Sequence, residues 1–201
     1  MIESLPDGAT PVSDQEFKGL IPTFVATRAD LNLVEQAGIA AARTWVARSP
    51  AAHTVERVLS EQFIRDLHRQ MYGRVWRWAG TYRTSESNIG VDPARVPVAV
   101  RDLVDNAHLW VAPGTAWITP ELACIRVHHQ LVSIHPFPNG NGRHARLFAD
   151  LLAQSIGVPP FTWGGADLNA SGPDRATYLA ALRRADRDPD DLANLLTFAR
   201  S

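Results

Sequence analysis

Apolar residues recur at helical spacing along most of the chain. Leu31, Val34, Ile39, Ala42 and Val46 follow one helical stripe, and Val58, Leu59, Phe63, Leu67 and Met71 follow a second. Thr27 is suited to cap the first helix, with Asp30 in its first turn, and Ser49-Pro50 ends it. The second starts near Thr54 and stops at Gly73. Helices are also predicted over 98–111, 119–134, from about 142 to 157, over 173–186 and over 189–200. Thr119, Pro120 and Glu121 open the 119–134 segment with a cap, a residue preset for the first helical position and an acid at the positive helix end. Asp188 before Pro189 is read as the cap of the last.

Two stretches break the pattern. Residues 76–100, "WRWAGTYRTSESNIGVDPARVPVAV", mix aromatics, glycines and prolines, and predict a β-hairpin or extended flap. Residues 1–26 hold three prolines and two glycines without a steady period, and read as an arm laid over a domain of 27–201. The fold class expected is mainly α: one helical bundle with a short β-hairpin flap.

Composition narrows the function classes. The chain has 201 residues, is 45% hydrophobic and carries a net charge of −1, enough for one sizeable core. Charges of both signs are dispersed, so no basic stripe points to nucleic acid. No apolar run reaches the length of a membrane span, and the first residues lack a signal-peptide pattern, so a cytoplasmic protein is expected. The single cysteine, Cys124, lies in an apolar stretch and reads as a small core residue. Trp76, Trp78 and Tyr82 read as packing under the flap, and Trp110, Trp117 and Trp163 as core or helix-end packing.

The chemistry concentrates in "HPFPNGNGRHAR", residues 135–146. The residue before proline is pushed away from helical dihedrals, so one helix ends at His135 and another begins at about Gly142. Gly140 and Gly142 permit backbone angles that turn consecutive N–H groups toward an anion, and the new helix adds its positive end. Arg143 and Arg146, three apart, share one helix face and match phosphate oxygens with planar forks. Asp150, four residues after Arg146, can orient it, while His144 faces the core side. His135, at the lip of this cradle, has an ordinary pKa of about 6.5 suited to a general base. Taken alone it equally well only terminates a helix; beside the cradle and both arginines it reads as catalytic.

The stretch resembles the Fic family signature H-x-F-x-(D/E)-G-N-G-R-x-x-R, matching at His135, Phe137, Gly140, Asn141, Gly142, Arg143 and Arg146 and departing at Asn139. "WRWAGTYR", "NIG", "PVAV" and "RATYLAALRRAD" extend the likeness over about 27–200, and within the family the chain looks most like the group called mobile mystery protein B. The resemblance implies a protein adenylyltransferase that moves AMP from ATP to a Ser, Thr or Tyr hydroxyl of a target protein. It implies His135 as general base, Phe137 as the loop's anchor, and Gly140, Asn141, Gly142, Arg143 and Arg146 as the phosphate-binding set. It also implies a target strand docking on a flap at 84–98.

Position 139 normally carries an acid for Mg2+. Asn139 offers a neutral oxygen, so weaker Mg2+ binding or transfer of another phosphate-containing group is expected. Doc-like relatives, which transfer phosphate, lose the final Gly-Arg that this chain keeps.

Many Fic proteins restrain themselves with a glutamate in the pattern (S/T)-x-x-x-E-(G/N), paired with the second motif arginine. None of the seven glutamates here fits. Glu35 comes nearest in location and is expected to be a solvated helix residue, which leaves a separate antitoxin-like protein as the implied inhibitor. Two other readings stay open: a catalytically weakened Fic-fold module that binds nucleotide or a partner, and a metal-dependent phosphate-ester hydrolase using His128, His129, His135 and His144, whose spacing matches no zinc pattern.

Overall fold

The computed structural model describes residues 13–49, 54–165, 168 and 172–201. Residues 1–12 of the expected arm and Pro50 of the expected helix stop lie outside the described residues. The helices that carry the fold are α1 (Arg28–Ala47), α2 (Glu61–Tyr72), α3 (Val96–Trp110), α4 (Pro120–Ile134), α5 (Asn141–Ser155), α6 (Pro173–Arg187) and α7 (Ala193–Arg200). None is long and apolar enough to cross a membrane.

Local chemistry sets most of their ends. Thr27 and Asp30 form a reciprocal capping box on α1, each side chain accepting the other's backbone N–H. Ser60 caps α2, and Thr119 caps α4 ahead of Pro120. The predicted run from Thr54 to Gly73 is therefore two pieces: a turn over Val55–Val58, a break at Leu59, and α2. Ser60, whose hydroxyl takes the Phe63 N–H at 3.1 Å, restarts the helix there. At the other end α7 begins at Ala193, later than expected, because Asp188 accepts the Asp190 N–H and closes its own turn.

The 76–100 stretch differs from its prediction. Among the described residues it contains no hairpin: 81–92 run irregularly, a short 3-10 turn covers Pro93–Arg95, and α3 begins at Val96. Among the described residues an isolated bridge joins Leu20 to Trp76.

α4 and α5 are consecutive helices packed on each other, with α3 beside α4 and α1 across α2. The core between them holds Phe63, Leu67, Ile125, Leu131, Phe137 and Phe148, all essentially inaccessible to solvent. Cys124 is buried among them, and burial pushes its thiol up to about 12. Trp110 and Trp163 are buried as expected, whereas Trp117 is exposed, a correction to its assignment as packing: it lies in the loop between α3 and α4.

At Gly38 a Cβ would lie 2.0 Å from the Met71 carbonyl. Only glycine lets α1 approach α2 this closely, and that contact decides which face of α1 turns inward.

Candidate active site

The loop 135–140 joins α4 to α5 at the centre of the helical packing. His135 is the C-cap of α4 and sits in the left-handed region, at φ 55° and ψ 60°. A non-glycine residue held there costs about 1–3 kcal/mol and persists only where its surroundings enforce it. His135 is 6% exposed, not at a solvent-facing lip as the sequence implied, and the flap is what covers it: a Cβ on Gly90 would lie 2.7 Å from the His135 Cβ. Burial lowers its pKa to about 4, so the imidazole is neutral at pH 7. Nδ1 lies 3.4 Å from the Val132 carbonyl. With the proton on Nδ1, the basic lone pair is on Nε2.

Beneath the loop, three buried side chains shape it. Phe137 is fully buried and stacks on His68 with ring centroids 3.8 Å apart. His68 Nδ1 accepts the Gly80 N–H at 3.0 Å, which places the ring proton on Nε2, 3.0 Å from the Asn139 carbonyl that accepts it. The Asn141 side chain clips the loop across itself: Oδ1 accepts the Phe137 N–H at 2.9 Å and Nδ2 donates to the Phe137 carbonyl at 2.7 Å. Its amide is thus loop structure, and only its backbone can face an anion.

Gly140, at φ 80°, is the N-cap of α5, and a Cβ there would lie 2.6 Å from the Tyr72 ring. Both dihedral and floor demand glycine, which leaves the N-terminal N–H groups of α5 as an anion-binding end.

The two motif arginines diverge. Arg143 Nη2 is 2.7 Å from Glu35 Oε2, and its guanidinium lies 5.4 Å from the Tyr72 ring centroid. Arg146 lies over the Tyr178 ring at 5.5 Å, and the Tyr178 hydroxyl is 3.0 Å from His128 Nε2.

Glu35 is a residue the sequence reading placed wrongly. It is 3% exposed, not solvated, and its other oxygen accepts the Trp76 indole N–H at 2.8 Å. The signal was available: Leu31, Glu35, Gly38, Ala42 and Val46 are the buried residues of α1, and their spacing is one continuous stripe. Asp150 also differs from its expected role. It accepts from Trp163 Nε1 at 2.9 Å and the Phe161 N–H at 3.2 Å, pinning the chain after α5.

Asn139 Oδ1 accepts the Gly140 N–H at 2.6 Å. A neutral oxygen already engaged in the loop is a poor fit to a protein-held Mg2+. Among the described residues no three His, Cys, Asp or Glu side chains converge on a metal position. The histidines of the hydrolase reading bond elsewhere: His128 to Tyr178, His129 to Asp186 at 2.8 Å, and His144 to the Ile64 carbonyl at 2.9 Å.

Between flap and loop lies a cleft of about 230 Å3, lined by Arg83, Glu86, Ser87 and Asn88, by Pro138, and by Glu16 of the arm.

Residues 58–153 match the Fic/DOC family. The chain is 35% identical over 103 residues to protein adenylyltransferase fic-1 of Caenorhabditis elegans and 31% identical over 99 residues to protein adenylyltransferase Fic of Aedes aegypti. Each match covers 48% of this chain and 20% of the relative, so the chain spans about a fifth of the length of those proteins. Among solved structures, Fic-1 from C. elegans superposes with a TM-score of 0.65 at 28% identity, covering 91% of this chain and 51% of that one. BepC of Bartonella tribocorum, solved with bound AMPPNP, shares the fold at a TM-score of 0.67 and 12% identity, covering 94% of this chain and 97% of that one.

Proposed function

We propose that this chain, whose residues 58–153 match the Fic/DOC family, is a protein adenylyltransferase of that family, with 27–201 as its catalytic domain. The observation that carries the reading is the placing of a neutral, buried His135 directly before the glycine-rich N-terminus of α5 and its two arginines.

In this reaction His135 Nε2 takes the proton of a target Ser, Thr or Tyr hydroxyl. The freed oxygen attacks the α-phosphorus of ATP, and the bond from that phosphorus to the bridging oxygen breaks. Pyrophosphate leaves with the electron pair, and His135 returns its proton to solvent. The N–H groups of Asn141 and Gly142 hold phosphate oxygens, Gly140 shapes the turn with its own N–H bonded to Asn139 Oδ1, and Arg143 and Arg146 meet the charge that grows on pyrophosphate. Because Asn139 fits a protein-held cation poorly, Mg2+ would be held by the nucleotide's own phosphates. The target docks along the flap, here an irregular loop, and the reaction is assigned to the cytoplasm.

Glu35 supports an internal restraint over a separate antitoxin-like inhibitor: its carboxylate already occupies Arg143. A second reading, a weakened module that binds nucleotide or a partner, draws on the same pair and on Asn139.

Incubation of the protein with Mg2+, cell lysate and α-labelled ATP tests the assignment, beside His135→Ala and Asn139→Asp. Transfer of α-label that His135→Ala abolishes is the expected result. Label from γ-labelled ATP alone would replace it with phosphate transfer. No label in any variant, with ATP binding retained, would leave the binding module.

A further inference from the structure

The flap lacks a strand ladder, yet it lies tightly on the base. One buried side chain accounts for both. Arg83, 3% exposed, follows the Trp78–Tyr82 turn and spreads its guanidinium between two segments far apart in sequence. Nε donates to the His135 carbonyl at 2.6 Å, and Nη2 reaches the Ile134 carbonyl at 3.4 Å. On the flap side, Nη1 donates to the Ser85 carbonyl at 3.1 Å and Nη2 to the Val91 carbonyl. The backbone adds two bonds in parallel: the Arg83 N–H to the Pro136 carbonyl at 2.9 Å, and the Val91 N–H to the Ile134 carbonyl at 3.3 Å. Gly90, at φ 119°, lets the flap close down, since a Cβ there would lie 2.6 Å from Arg83 Nη2.

We propose that Arg83 is the positioning residue for His135: its guanidinium, standing in for a strand ladder, clamps the flap onto the carbonyls of Ile134 and His135 and holds the base in its left-handed backbone conformation. The inference rests on His135 being the base. Three features favour a clamp over mere packing. The donors go to main-chain carbonyls on both sides, the planar fork bridges them at once, and the residue it holds is in a dihedral region that other forces must maintain. A lysine ammonium keeps the charge but cannot span both segments. A target strand that settles on the flap would, through Arg83, press on the base it is about to use.

The test compares wild type, Arg83→Lys and Arg83→Ala by amide hydrogen exchange and by AMP-transfer kinetics. Exchange is expected to rise together in 84–92 and in 131–138, with α2 and the C-terminal half of α5 unchanged. The kcat should fall about 100-fold while the KM for ATP stays within a few-fold, as a misplaced base gives. Added guanidinium ion should restore part of the Arg83→Ala rate. Faster exchange confined to the flap, or full kcat in Arg83→Lys, overturns the proposal. Should Arg83→Ala unfold, Arg83→Lys alone carries both readouts. If wild type transfers no AMP, the transferase reading fails while the exchange comparison still decides whether Arg83 holds the loop.

Discussion

Arg143 and Arg146 leave the same helix one turn apart and meet opposite surroundings. Arg143 is neutralised: Glu35 lies 2.7 Å away, delivered by α1 and held from behind by the Trp76 indole. Arg146 lies on the Tyr178 ring, and behind it is His128, whose pKa burial lowers to about 3. On the proposed reaction an incoming triphosphate would exchange a carboxylate at Arg143, whereas at Arg146 it would meet a cation packed on an aromatic ring with Asp150 near enough to act on it electrostatically. Two identical side chains at helical spacing thus take different roles because each is defined by the element packed against it. On the proposed reaction, Arg146 would be the standing phosphate ligand, and Arg143 one that must first exchange its Glu35 carboxylate.

Acid should erase the contrast most completely. Burial depresses His128, His135 and His144 to about 3, 4 and 4. Each prefers the neutral form when folded, so its contribution is fully present above the unfolded value of about 6.5 and is lost as pH falls toward the folded value. These three groups alone give a loss of about 4 kcal/mol per pH unit between roughly pH 6 and 4, and His68, which burial also lowers well below its ordinary value, adds to it. Urea unfolding measured from pH 8 to 5 should be flat above 7 and collapse below 6. A midpoint indifferent to pH would mean that these rings are hydrated. Over the stable range the transfer rate should show no inflection near 6.5, because His135 is already neutral.

Next in size is Arg143→Ala. Removing it strands a buried carboxylate and should cost about 3–5 kcal/mol of stability, read from the same urea curves. Arg146→Ala leaves Asp150 its bonds from Trp163 and the Phe161 N–H and its ion pair with Arg43, so its stability should change far less, while AMP transfer falls at least about 100-fold. Equal stability losses in the two variants would dissolve the distinction. The smallest effect belongs to Glu35→Gln, which keeps an acceptor for Trp76 and removes the competing charge. It should raise apparent ATP affinity roughly tenfold, equivalent to about 1.4 kcal/mol, and enlarge the thermal shift that ATP produces. Unchanged ATP binding would leave Glu35 a structural ion pair only.

Helix starts were legible at Thr27–Asp30 and Thr119–Pro120, where a cap and a period coincide, but not at Asp188, which closes its own turn ahead of Ala193. Legibility failed where a polar side chain starts or stops a helix from within an apolar run, as Ser60 does after Val58 and Leu59. The flap was misread for a related reason. Its aromatic and glycine content matches a hairpin, but its Ser85 and Val91 carbonyls are satisfied by Arg83 and not by a partner strand. Glu35 was misread because charge was weighed above position, although its place in the buried stripe of α1 was visible.

The chain's own order of residues determined the helical class, the interruption at 135–142, the glycine that Gly140 must be, and the pair of arginines one turn apart. These follow from local dihedral preferences and from periods of a few residues, which act before any tertiary contact exists. Only the tertiary structure decided that His135 is buried and neutral, that Glu35 reaches Arg143 across 108 positions (143 − 35), and that Arg83 joins flap to loop. Those outcomes depend on how closely two helices approach, which Gly38 permits at Met71, and on which buried polar groups remain to be satisfied once they have. Burial and pairing are properties of the packed molecule, so no window of sequence contains them.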